Sequence, residues 1–177
     1  MTSEEFEAAT SALFREVAPM TLATCAGNVP WASDVYFARS GFNLIFFSSP
    51  DSRHCRNLVA NPVCAVSVHA LATNWQDIRG VQMEGVAGLA SATGEKVSAL
   101  AAYVAKFPFA RDLLAHPGEA LRTAFRAQAH IFRPIRMRYL DNRRGIGVRF
   151  SVGYVQGKPE WPPRREGTNA CSGPTGP

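Results

Sequence analysis

The residues of this chain best placed to do chemistry lie between Phe46 and Pro62, in the stretch FFSSPDSRHCRNLVANP. An apolar run ends there in Ser48 and Ser49, and Ser52, Arg53 and His54 follow at what reads as the start of a helix. The first turn of a helix presents N–H groups without intrahelical partners and the positive end of its peptide dipoles. Hydroxyls and cationic side chains added there suit an anion, phosphate above all. A plainer reading also accounts for them: Asp51 or Ser52 caps the helix, and Arg53 and His54 face water.

Other chemistry is poorly represented. There is no GxSxG, no HExxH and no P-loop. His54, His69, His116 and His130 show no spacing that suits a metal. His69 ends a strand-like run and His130 begins one, which favours structural roles, and His116 stands beside Pro117 in a loop. Cys25, Cys55, Cys64 and Cys171 form no CxxC pair, and a reduced compartment fits all of them. Trp31 and Trp75 are large rings that either stack on a ligand or plug a packing gap. Arg136 and Arg138 alternate with Ile135, Met137 and Tyr139, as on the wet face of a half-exposed strand, and Arg133, Arg143, Arg144 and Arg149 flank them. No RNP-like aromatic interleaving accompanies these arginines, so nucleic acid is not an expected partner.

The elements that must hold these residues follow from patterning. Apolar residues make up 46% of the 177 and charged residues 19%, a globular balance with enough length for one real core. The formal charge of +5 favours anionic partners, phosphorylated cofactors among them. No run is long and apolar enough for a membrane span, and the acidic start MTSEEFEAATSALF is unlike a signal peptide, so a cytoplasmic protein is expected.

Phe6, Leu13, Phe14 and Val17 have helical spacing over residues 4–17, and Pro19 stops that helix. Strands are expected over 20–26, 31–39, 42–48, 63–69, 79–91 and 131–140, with a short one over 146–152. Gly27-Asn28 is a hairpin signal, and Gly85 and Gly88 suggest a bend or bulge that helps a barrel close. A helix over 52–60 is expected to bury Cys55, Leu58 and Val59. Thr93 is a candidate cap for a helix with Val97, Leu100, Val104 and Phe107 as its apolar stripe, followed by helical pieces over 109–115 and 119–127. From Gln156 the composition turns to Gly, Pro and charge, which predicts a disordered tail over 156–177. Hairpin-linked strands with a few inserted helices point to a small antiparallel barrel.

This order of elements around FFSSPDSRHCRNLVANP resembles the pyridoxamine 5'-phosphate oxidase-like FMN-binding split barrels. Phe47-Ser48, Ser52-Arg53-His54 and Asn61-Pro62 stand where that family has its aromatic–hydroxyl strand end, its Ser-Arg-Lys helix start and its helix-ending Asn-Pro. The segments IRGVQMEG, KFPFARDLL and YLDNRRGIG look more specifically like the uncharacterised YhbP subgroup. The resemblance implies a mainly β fold, a six-stranded antiparallel split β-barrel of Greek-key type with peripheral α-helices, over 1–155 with a helical insert at about 93–127.

It further implies FMN, with Phe47, Ser48, Ser52, Arg53 and His54 at the phosphate, Ser33, Asp34 and Val35 along the ring, and Gln82 approaching from the other side. Family members are typically homodimers whose second subunit completes each site, so a self-partner and an unidentified small-molecule substrate are expected. A flavin-dependent oxidoreductase is the activity implied. The alternatives are a non-catalytic haem- or flavin-binding protein, with His54 or His69 toward haem, and a dimeric module with an emptied site. Ser33 and Ala38 replace an Arg and a Lys of the oxidase, Gly80 replaces a Gln, and its C-terminal Trp and Arg have no match, so oxidation of pyridoxamine phosphate is not expected.

Overall fold

A computed structural model describes residues 1–115 and 126–167. The expected helical piece over 119–127, His116, Cys171 and the last ten residues lie wholly or mostly outside them.

The chain opens with helix α1 (Ser3–Glu16), where Thr2 and Glu5 close a capping box: Glu5 N–H donates to Thr2 Oγ1 at 3.2 Å and Thr2 N–H to Glu5 Oε2 at 2.8 Å. Strands β1 (Pro19–Ala26) and β2 (Val29–Ser40) form a hairpin whose Gly27 and Asn28 both adopt the left-handed conformation, φ 56° and 61°. Then follow β3 (Asn43–Ser48), α2 (Arg53–Ala60), β4 (Val63–His69), β5 (Arg79–Leu89), α3 (Thr93–Lys106), α4 (Pro108–Ala115) and β6 (Gln128–Asp141). The antiparallel order is β3-β2-β1-β4-β5-β6, and β6 pairs back onto β3, closing a six-stranded barrel. Phe37, Phe46, Phe132, Leu22, Leu44, Val81 and Met83 fill its interior, and α1 adds Phe14 against Phe37 and Phe6 against Tyr139.

Closure depends on an irregularity between Glu84 and Gly85. Glu84 pairs with Arg136 but Gly85 with Pro134, leaving Ile135 as the extra residue of a bulge. Ile135 is consequently 51% exposed while Phe132, Pro134 and Met137 face inward, so the simple alternation through Ile135 does not hold. Of the two glycines expected to bend this strand, Gly85 is required. A Cβ there would lie 2.6 Å from the Phe132 ring and closer still to the Arg133 carbonyl, whereas at Gly88 it would meet nothing within 4 Å.

Helix α2 buries Cys55 and Leu58 as expected but not Val59, and α3 turns a different row inward from the one expected. In α2, Val59 is 86% exposed and Asn57 turns inward instead, donating to Thr24 Oγ1 at 3.0 Å. In α3, Thr93 is the first helical residue, and Glu95 reaches back to the N–H groups of Ser91 and Ala92 in place of a side-chain cap. Val97 is 63% exposed because the packed row is Ala99, Tyr103 and Phe107, with Tyr103 on Phe47 at 4.9 Å and Phe107 on Tyr36 at 5.6 Å. Lys106 locks this helix down by donating to the Phe14 and Val17 carbonyls, each at 2.8 Å, over the face of Phe37. Burial pulls its ammonium down to about 8, while the two carbonyl oxygens favour the charged form.

The tail expected to be disordered from 156 is ordered through 167. After β7 (Arg149–Val155), Gln156 and Gly157 turn the chain at φ 51° and 76°, and β8 (Lys158–Pro159) and β9 (Arg164–Glu166) both pair with β7. Trp161 supplies the apolar anchor that composition obscured, lying edge-on to Phe6 at 5.9 Å and Phe42 at 6.4 Å. Deleting residues 157–177 is expected to cost about 1–3 kcal/mol from those two ring pairs. A urea-unfolding midpoint equal to that of the full chain would count against this packing.

Candidate functional site

Five of the nine expected site residues converge where the start of α2 meets β2 at Ser33 and the end of β3 at Ser48. Ser52 caps α2 by accepting from Cys55 N–H at 3.3 Å, which leaves the N–H groups of the first two helical residues free of intrahelical partners. His54 inserts its ring among hydroxyls: Nε2 is 2.8 Å from Ser48 Oγ and 3.1 Å from Ser52 Oγ, and Nδ1 is 3.2 Å from Ser33 Oγ. Arg53 turns outward, its guanidinium carbon 4.3 Å from the centroid of Trp31, whose indole N–H donates to Ser33 Oγ at 2.8 Å. Ser52 thus serves the plain capping role, while Arg53 forms no ion pair with a carboxylate among the described residues.

Asp34 and Gln82 stand elsewhere, on the outer face of the barrel. Strand register aligns Asp34, Thr21, Ser67, Gln82 and Arg138 in one row, and Thr21 donates to Asp34 Oδ1 at 2.7 Å. The neighbouring row brings Ala23 beside Ala65. Thr21, Ala23, Ala65 and Ser67 therefore floor a groove of about 240 Å³ walled by Gln82, Glu84, Arg136 and Arg138. This floor of small side chains escaped the sequence reading. Its signal was there, since the outward positions of two strands both carry small residues.

Val35 and Phe47 do not reach either place with their side chains. Val35 is in the core, and Phe47 packs on Tyr103. Val35 can serve a ligand only through its backbone, and β2 offers that. β3 pairs with β2 only from Phe37 to Ser40, so from Val29 to Tyr36 one edge of the strand is open beside the seat.

Beneath the seat lies a second histidine that sequence spacing gave no reason to pair with the first. Phe46 stacks on His130 at 5.1 Å and meets His54 edge-on at 6.3 Å. His130 Nδ1–H donates to the Gln128 carbonyl at 2.9 Å, and its Nε2 lies 3.6 Å from Cys55 Sγ. Burial lowers both histidines below their ordinary 6.5, with the neighbouring His130 adding to the effect on His54, and burial raises the Cys55 thiol. The seat therefore holds a neutral imidazole and a protonated thiol at neutral pH. Between the depressed folded values and the ordinary value, the unfolded chain binds more protons, so stability falls as pH drops below about 6.5. The expected result is a steeper acid loss of unfolding free energy for the wild type than for His130→Gln, measured in urea at pH values on both sides of that range. Equal slopes would remove His130 from this linkage.

Among the described residues no three His, Cys, Asp or Glu side chains come together as a metal site, and no helix is long and apolar enough to cross a membrane. No curated protein matches the sequence significantly. Many solved structures share the fold, including these three. A haem-binding protein from Mycobacterium smegmatis is 22% identical with a TM-score of 0.64, the alignment covering 82% of this chain and 57% of that one. Campylobacter jejuni ChuZ is 12% identical with a TM-score of 0.66, over 90% of this chain and 66% of that one. A Listeria innocua protein provisionally named pyridoxamine 5'-phosphate oxidase is 17% identical with a TM-score of 0.60, over 77% and 98%. This chain thus spans little more than half the haem-binding protein and about two thirds of ChuZ. In sequence, residues 6–135, well over half of the chain, match the model for pyridoxamine 5'-phosphate oxidase. With this match and the six-stranded barrel, this chain belongs to the pyridoxamine 5'-phosphate oxidase family.

Proposed function

We propose that this protein binds the FMN unit of a flavin nucleotide and acts as a flavin-dependent oxidoreductase on a small molecule, as a cytoplasmic homodimer whose second copy completes each site across the outer face. The observation that carries this reading is the convergence of Ser33, Ser48, Ser52, Arg53 and His54 beside the open edge of β2. The donor set suits a phosphate: Arg53 pairs with no carboxylate among the described residues, and hydroxyls surround the helix start. The floor of Thr21, Ala23, Ala65 and Ser67 suits a flat ring, since none of these side chains stands high.

In this reading Arg53 and the Ser48 and Ser52 hydroxyls hold phosphate oxygens, and His54 contributes a hydrogen bond without a full charge. Backbone groups of Ser33–Val35 and the Gln82 amide orient the ring, while Thr21 keeps the Asp34 carboxylate in place. Bound FMN supplies hydride-accepting chemistry at its ring. Ala38 is fully buried where the oxidase has a cationic side chain, so pyridoxamine phosphate is not the substrate proposed. The test is turnover: flavin-loaded protein should oxidise a reduced nicotinamide with a quinone or dye acceptor, and a wide acceptor screen without turnover would reduce the reading to a flavin carrier.

The haem-binding neighbour supports a second reading. His69, exposed at the end of β4, is then the iron ligand, because both ring nitrogens of His54 already lie on serine hydroxyls. A Soret band lost in His69→Ala would favour it.

A further inference from the structure

Apart from the seat and the outer-face groove, α1 and α3 leave a cavity of about 570 Å³ between them. Small-molecule sites commonly enclose about 300–1,000 Å³. Three cationic side chains from three elements line it: Arg15 in the last turn of α1, Arg39 on β2 and Lys106 at the end of α3. Among the described residues no Asp or Glu shares that lining, unlike the outer-face groove, where Glu84 stands among the arginines. The space is left by Gly41, Ala102 and Ala105, which are small where the two helices and the end of β2 face one another.

Structural duties account for only part of this charge. Lys106 spends its ammonium on the Phe14 and Val17 carbonyls, which offsets the negative end of α1 that would otherwise repel an anion. Arg39 donates through Nε to the Gly41 carbonyl, through Nη1 to Ser11 Oγ and, at 3.5 Å, through Nη2 to Glu7. These bonds fix the guanidinium, and among the described residues each terminal nitrogen keeps an N–H free. Arg15 forms no ion pair among the described residues. Its neighbour one turn earlier on α1 is Ser11, and adjacent Glu16 is turned to Arg79 at 2.6 Å. Two guanidinium groups beside an apolar floor of Phe14, Ala102 and Ala105 suit a carboxylate on a short apolar body, the forks taking the oxygens and the floor the chain.

We infer that this cavity binds a small organic anion, a carboxylate on a short apolar body, with Arg15 and Arg39 on the carboxylate and Phe14, Ala102 and Ala105 against the body. It is independent of the flavin reading, since its lining shares no residue with the seat or the outer-face groove. The experiment is calorimetric titration of the full chain at neutral pH with octanoate, with 1-octanol, which keeps the body without the charge, and with acetate, which keeps the charge without the body. Octanoate should bind saturably, once per chain, and about tenfold or more tighter than either. Arg15→Gln and Ala105→Leu, both at exposed helix positions, should each weaken octanoate by a similar factor, the first by removing a charge and the second by filling the space. No saturable binding of octanoate to the wild type, or binding matched by octanol or acetate, overturns the inference. So does octanoate binding that either variant leaves unchanged, which would put the ligand at another place.

Discussion

Replacing Gly85 with valine is expected to cost more than about 3 kcal/mol and to leave little folded barrel. Even the first carbon of the new side chain would lie 2.6 Å from the Phe132 ring, and nearer to the carbonyl oxygen of Arg133. Neither neighbour is free to yield. Phe132 is fully buried, and β6 is held through this stretch by β5 on one side and, up to Phe132, by β3 on the other. Moving the Arg133 carbonyl would disturb the ladder that closes the ring of strands, and a dense interior leaves no room for the aromatic ring to swing. Gly88→Ala, three residues along the same strand, meets nothing within 4 Å and should stay within about 0.5 kcal/mol of the wild type. Urea midpoints of the two variants check this pair, and a stable Gly85→Val protein would show that the bulge is not what closes the barrel.

The second large effect is on binding. Arg53→Ala should weaken flavin-nucleotide affinity by roughly ten- to a hundredfold, the ~1.5–3 kcal/mol of a charge-assisted hydrogen bond. Arg53 is exposed and its contact within the chain is with the face of Trp31, a cation–π pair worth ~0.5–1 kcal/mol at such a site, so the fold should survive the change. Riboflavin, which lacks the phosphate, should bind wild type and variant alike. Equal loss for riboflavin and FMN would mean that Arg53 shapes the site in some other way than by holding phosphate. His54→Lys makes the converse change, adding a charge where the ring is neutral, and its effect on affinity should have the opposite sign.

The succession of strands along the chain and the grouping of Ser48, Ser52, Arg53 and His54 were legible in the sequence because both are local. The β1–β4 and β3–β6 pairings that close the barrel are not. Gly27-Asn28 announced its hairpin, Asn61-Pro62 ended its helix, and Ser48, Ser52, Arg53 and His54 lie within one short stretch whose turn brings them together. What failed to show was non-local. That Val97 faces water and Ala99 does not depends on where Tyr103 and Phe107 find Phe47 and Tyr36 across the barrel wall. The inward turn of Asn57 depends on Thr24, and the order of residues 158–166 on Phe6 and Phe42 waiting for Trp161. Ile135 was assigned to the wrong face because one bulge shifts parity for every residue before it, and periodicity alone cannot locate a bulge. The site divided for the same reason: Ser33 and Asp34 are adjacent in sequence, yet a strand sends one to the seat and the other to the outer face.

The most direct measurement is an absorption spectrum of the protein after incubation with FMN or FAD and passage through a desalting column. The expected result is retained near-ultraviolet and blue flavin bands in the wild type and their loss in Arg53→Ala. A colourless wild type that releases all of both flavins would contradict flavin binding at this seat.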